Sequence, residues 1–136
     1  MSILKEIVTA LQNKADAVGF KKLKEAITVP AEPERPTLDE LYYKTMEWGE
    51  ERLITVNSTP QAQLLKCVSE LGELADATLK DDRNEIVDGV GDVLVTLVMY
   101  ATIQRLDLAH CLECAYDEIK DRKGHLTPEG VFVKEE

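Results

Sequence analysis

Apolar residues recur every three to four positions along most of this chain, which is the period of an amphipathic helix rather than of a strand. Ile3, Leu4, Ile7, Val8, Leu11, Ala15 and Val18 keep that spacing, so the first twenty-odd residues are expected to form a helix broken near Gly19. Pro30, Pro33 and Pro36 then rule out a helix interior and predict an extended connector. Residues 1–36 therefore read as an N-terminal amphipathic helix with a proline-rich connector, and residues 37–136 as the main domain.

Helix signals punctuate that domain. Thr37-Leu38-Asp39-Glu40 has the capping-box form and opens a helix expected to run to about Leu53, carrying Trp48. Thr59-Pro60 is an N-cap followed by proline at the first helical position, opening a helix that continues to about Leu79. Asp82 and Glu85 form a second candidate capping box for a helix reaching about Arg105. Asp107 caps a last one, Leu108 to Arg122, expected to stop at a left-handed Gly124. The tail, with Thr127-Pro128-Glu129-Gly130 before Val131-Phe132-Val133, predicts a turn and a short strand pair. The fold class is thus all-α.

From Val93 to Ile103 the chain is apolar nearly all round, the mark of a central helix, yet too short to span a bilayer. With no signal-peptide pattern after Met1 and three cysteines (Cys67, Cys111, Cys114) that cannot close into a disulfide set, a cytoplasmic protein that does not engage membranes is expected. The 136 residues suit one compact domain. A net charge of −10 without a basic cluster speaks against DNA or RNA as a partner. Such a protein binds an anionic nucleotide only where divalent cations and a few placed Lys or Arg side chains reverse the local field.

The acids supply a place for such cations. Glu70 and Glu73, and again Glu85 and Asp88, lie three apart on predicted helices, and Asp92 lies one turn beyond Asp88. With 26 acids in 136 residues the spacing alone says little. Position says more: Glu85, Asp88 and Asp92 form a stripe that Val95, Met99 and Ile103 continue, so the acids begin where burial begins. Carboxylates at the edge of a core repel one another and lose hydration unless a cation compensates. On the preceding helix Leu64, Val68, Leu71 and Ala75 are expected to face the core, with Glu70 and Glu73 toward the opposite side near Leu74, Cys67 and Lys66. If that second side is also covered, the two acid sets face one another across an antiparallel helix pair. The box would suit Mg²⁺, a hard ion that keeps open positions for phosphate and water.

Ser69-Glu70-Leu71-Gly72-Glu73-Leu74-Ala75-Asp76, followed by Glu85-Ile86-Val87-Asp88-Gly89-Val90-Gly91-Asp92-Val93-Leu94-Val95, resembles the MazG-like branch of the all-α NTP pyrophosphatases, which carry ExxE, a gap, then ExxD. The likeness continues through Ala115-Tyr116-Asp117-Glu118-Ile119-Lys120-Asp121-Arg122-Lys123-Gly124 into Gly130-Val131-Phe132-Val133-Lys134-Glu135, as in short phage MazG-like proteins. The resemblance covers roughly Leu38 to Glu136. It implies a four-helix-bundle core, here with the extra N-terminal helix, assembled as a homodimer or homotetramer. The activity implied is Mg²⁺-dependent hydrolysis of a nucleoside triphosphate, (d)NTP, to (d)NMP and pyrophosphate, with Mn²⁺ able to substitute, cleaning or controlling a nucleotide pool.

Carried over by position, Glu70 and Glu73 match ExxE. The second motif has two registers: aligning on Gly91-Asp92-Val93-Leu94 puts Gly89 at the motif Glu, whereas aligning on ExxD itself selects Glu85 and Asp88. The implied catalytic set is Glu70, Glu73, Asp88 and Asp92, and the implied metal ligands are these four with Glu85. Lys120, Arg122 and Lys123 match the basic end of the family's last helix and would clamp phosphates. Trp48 would stack on the base. Two readings stand beside this one. In the first the chain is a non-catalytic helical dimerisation or regulatory module whose acids are solvated. In the second His110, Cys111, Cys114 and His125 hold zinc.

Overall fold

The computed structural model describes residues 35–135 together with residues 26 and 27. The expected N-terminal helix and most of the connector lie outside the described residues. The chain divides into two compact units, Met1–Arg35 and Pro36–Glu136. The second unit holds five helices and a hairpin, in the order α1 (Leu38–Glu51), α2 (Ile54–Asn57), α3 (Pro60–Leu79), α4 (Arg83–Ile103), α5 (Leu108–Ile119), β1 (Gly124–Leu126) and β2 (Phe132–Lys134). The all-α reading holds, with the strand pair in the tail where the turn signal put it.

Helix starts follow the sequence signals closely because capping is local chemistry. Thr37 Oγ1 accepts from the Glu40 amide at 3.2 Å while Glu40 accepts from the Thr37 amide at 2.7 Å, a complete capping box that holds the Glu40 carboxyl below its usual range. Thr59 accepts from the Ala62 amide with Pro60 at the first position, and Asp107 accepts from the His110 amide. Asp82 accepts from the Asn84 and Glu85 amides, but only half of the expected box forms, because the Asp82 amide instead closes the end of α3 by donating to the Ala77 carbonyl.

Helix ends differ more from expectation. Leu53, Asp81 and Arg105 all adopt left-handed backbone, at φ 58°, 54° and 58°, each just past a helix end. Asp81 and Asp82 donate back to Thr78 and Ala77, and Arg105 and Leu106 to Thr102 and Ala101, the paired bonds of a Schellman ending built without glycine. The first of these turns reverses the chain between α3 and α4. At Leu53 it ends α1 early and starts the short α2, which sequence analysis did not foresee.

The last helix also ends early, at Ile119 rather than Arg122, and Gly124 is not its left-handed terminator. Gly124 instead begins β1 and pairs with Lys134, while the Lys123 carbonyl accepts from the Glu135 amide. A Cβ at this glycine would run into the Val133 carbonyl and the Phe132 ring, so close strand approach is what requires it there.

The core is the antiparallel pair α3 and α4, with α1 and α2 laid against α4. Among the described residues the buried apolar ones are Cys67, Ala77, Val98, Met99 and Ala101, and Met99 is 1% exposed. Gly49 of α1 is buried where an added Cβ would meet the Met99 thioether, so the helix backbone itself seats on that side chain. Buried Thr96 donates to the Val93 carbonyl at 2.8 Å and so enters the core satisfied. The expectation that this stretch is too short for a bilayer is corrected: the helix runs over 21 residues, and by length and composition α4 is apolar enough to cross one, while it packs along α3 and buries Gly89, Thr96, Val98, Met99 and Ala101.

The expected core face of α3 is overturned. Leu64, Val68 and Leu71 are 49–59% exposed, whereas Cys67, Glu70 and Ala77 are buried and Leu74 is half-buried. The helix therefore turns its more polar side toward α4. Gly89 makes this approach close: an added Cβ there would stand 3.2 Å from the Leu74 Cβ.

Candidate active site

Because α3 packs on α4 through the side that carries Glu70, the condition set by the sequence is met: the two acid-bearing helices run antiparallel, joined by the turn at Lys80, Asp81 and Asp82. Glu70 is buried, with its side chain 7% exposed. Asp92 is half-buried on α4, while Glu73, Glu85 and Asp88 are exposed. The five acids thus grade from a buried member on α3 to solvated ones at the start of α4.

A cation pairs with the buried one. The Lys66 ammonium pairs with the Glu70 carboxylate one turn further along α3. That hydrogen bond and charge, joined by the fields of Glu73 and Asp92, hold Lys66 above the usual lysine range. Among the described residues, no three His, Cys, Asp or Glu side chains are grouped to grip a metal ion. The five candidate side chains are all carboxylates, oxygen donors of the kind Mg²⁺ or Mn²⁺ takes.

Sequence analysis named Lys66 only as a neighbour of Glu70 and gave it no role. The signal was available in the Lys-Glu spacing of four. What was missing was that Glu70 is buried.

The other predicted residues lie apart from this point. Trp48 of α1 is 40% exposed, with the Arg52 guanidinium 4.9 Å from its ring centre. Arg52 also lines an open groove of about 450 Å³ with Leu53, Ile54, Asn57, Ser58, Thr59, Ala62 and Gln63. Gln63 lies seven residues before Glu70 on α3, about 10 Å along the axis. Lys120 pairs with Asp117 at 2.8 Å, and Arg122 and Lys123 are exposed on the turn into the hairpin rather than at a helix end. Of the zinc candidates, Cys111 and Cys114 are exposed. His110 joins Glu113 through Nδ1 at 3.1 Å and Cys114 through Nε2 at 3.6 Å, and His125 lies on β1.

Two acid-bearing antiparallel helices in an all-α domain define a class, and the comparisons place the chain within it. Residues 58–127 match the MazG nucleotide pyrophosphohydrolase domain, and the chain belongs to that family. The matched span takes in every candidate acid and Lys120, Arg122 and Lys123, but not Trp48. Over 70 residues the chain is 34% identical to an uncharacterized 18.2 kDa protein from the rep-hol intergenic region of Haemophilus phage HP1. That similarity covers 52% of this chain and 43% of the phage protein, so the chain spans less than half of that relative's length. In fold it is similar to the MazG-like pyrophosphohydrolase of cyanophage S-2L, solved bound to dGDP and three catalytic Mn²⁺ ions per active site. The TM-score is 0.58 at 21% identity, over 74% of this chain and 95% of that one. At that identity the likeness bears on the fold alone.

Proposed function

We propose that the protein is a divalent-metal-dependent nucleoside triphosphate pyrophosphohydrolase, converting (d)NTP to (d)NMP and pyrophosphate with Mg²⁺, or with Mn²⁺ in its place. The observation that carries this reading is the buried Glu70 carboxylate where α3 packs against the antiparallel α4, within the span that matches the MazG nucleotide pyrophosphohydrolase domain. Membership in the MazG family and the Mn²⁺- and dGDP-bound cyanophage relative support it.

In this reading Glu70, Glu73, Asp88 and Asp92 hold the metal, with Glu85 completing the shell from the first turn of α4. A divalent cation there supplies neutralisation of the triphosphate and a water of lowered pKa. Water adds at the α phosphorus, the α–β anhydride bond breaks in line, and a carboxylate of the box takes the water's proton. Lys120, Arg122 and Lys123 hold the phosphates, and Trp48 with the neighbouring groove takes the nucleoside end, about two helical turns from Glu70. The substrate is drawn from a cytoplasmic nucleotide pool.

The active species is a homo-oligomer. Leu64, Val68 and Leu71 of α3 and Leu112, Tyr116 and Ile119 of α5 are exposed in the single chain, more apolar surface than a small soluble domain ordinarily leaves open.

A screen of dNTPs and NTPs with Mg²⁺ tests the activity. Pyrophosphate should be released from at least one of them, and chelation should stop the reaction. Stepwise release of orthophosphate from the γ end would refute the mechanism.

A further inference from the structure

The zinc candidates His110, Cys111, Cys114 and His125 do not gather into a group of three or more ligands among the described residues. Two of them are nonetheless assembled on α5 with a third side chain, and their chemistry is of another kind. His110 Nδ1 lies 3.1 Å from Glu113 Oε2, and His110 Nε2 lies 3.6 Å from the Cys114 sulfur. An ionised carboxylate has no proton to give, so Nδ1 is the donor and Nε2 keeps the lone pair that faces the thiol. The pattern is that of a nucleophile, its base and the group that orients the base. Helix geometry produces it: residues three and four apart share a face, and side chains lean toward the helix N-terminus, which brings Cys114 back over His110. Cys111 is equally exposed but stands one position from His110 and does not share that face, and Cys67 is buried.

We propose that Cys114 is a reactive thiol, with His110 as its base and Glu113 positioning the imidazole, and that it exchanges with small disulfides, cationic ones in preference to anionic ones. Nε2 takes the thiol proton, the sulfur attacks one sulfur of a disulfide RSSR, and the S–S bond breaks in line. The departing RS⁻ takes the proton from His110, which leaves Cys114 in a mixed disulfide with R and releases RSH. The disulfide is the oxidant: one of its sulfurs is reduced to RSH as Cys114 is oxidised. Exchange needs in-line access to the sulfur, and the helix gives it, since Cys114 is exposed and the His110 and Glu113 side chains are each 69% exposed. At helical spacing the three residues lie roughly opposite Leu112, Tyr116 and Ile119, so covering that apolar side leaves the thiol open. Charge sets the preference. Glu113, Asp117 and Glu118 stand within about one turn of Cys114, with Lys120 paired to Asp117, on a chain of net charge −10 that attracts a cationic disulfide and repels an anionic one. The site is independent of the pyrophosphohydrolase reading.

The test treats the reduced full chain at about pH 7.5 with excess cystamine, a cationic disulfide, or with glutathione disulfide, an anionic one. Acid quenching and fragment-ion mass spectrometry then follow each cysteine separately. In the parent Cys114 should react at least about tenfold faster than Cys111, and faster with cystamine than with glutathione disulfide. His110→Gln should slow Cys114 roughly tenfold while Cys111 stays within about twofold of its own rate, because only Cys114 loses a base. Glu113→Gln should slow Cys114 by about threefold, since the base remains but the charge that balances its protonated form is gone. Cys111 serves as the control on the same helix: fraying of α5 would speed both thiols, whereas loss of the base slows one. Equal rates for Cys111 and Cys114 in the parent overturn the proposal, as does a Cys114 rate unchanged by His110→Gln. A faster reaction with glutathione disulfide than with cystamine overturns the stated preference.

Discussion

The α3–α4 pair and the segment from α5 through the hairpin have similar apolar content but opposite fates. In the first, Cys67, Glu70 and Ala77 meet a helix that buries Gly89, Thr96, Val98, Met99 and Ala101. In the second, α5 buries none of its residues, and Leu112 is 71% exposed, Tyr116 59% and Ile119 51%. Both strands of the hairpin lie largely in solvent too. An isolated helix of 12 residues is marginal in water, so the exposed apolar side of α5 is the feature the proposed oligomer would cover. The contrast separates a helix pair that forms the core from a segment whose apolar side chains stay exposed, the surface on which the proposed oligomer depends.

The sharpest way to break this comparison acts on the first region. Glu73→Gln and Asp92→Asn keep size and helix context while each removes one charge from the box, and activity should fall by at least about a hundredfold. In chelator neither variant should melt below the parent, since one of several repelling carboxylates is gone, whereas with Mg²⁺ the parent should gain more. Equal Mg²⁺-induced stabilisation of parent and variants would make these acids solvated decoration.

Next in size are two substitutions that should part company. Met99→Ala empties a site that is 1% exposed and should cost about 2–5 kcal/mol of stability by chemical denaturation. Leu112→Asp changes an exposed residue of α5, so helical content should survive while the mass by light scattering at micromolar concentration falls from oligomer to monomer. A parent that is already monomeric would remove the distinction between the two regions.

The smallest effect concerns a helix end. Arg105→Gly relieves left-handed backbone at the end of α4 and should raise stability by about 0.5–1 kcal/mol, read as an upward shift in Tm of a few degrees. No gain would mean that the Arg105 side chain contributes more than its backbone conformation costs.

Local chemistry was legible in the chain itself. Thr37, Thr59 and Asp107 fixed where helices begin, because a cap is settled within one turn by hydrogen bonds that residues three apart can make. The turn signal at Thr127 to Gly130 located the hairpin for the same local reason. Which face of α3 is inside was not legible. Leu64, Val68 and Leu71 are the more apolar choice, and periodicity cannot tell a face that meets α4 from one left for another partner. That decision belongs to the tertiary structure, where Gly89 lets the helices approach at Leu74 and the turn at Asp81 sets their register. Only then does Glu70 become buried beside Lys66, since burial is a property of packing rather than of sequence spacing.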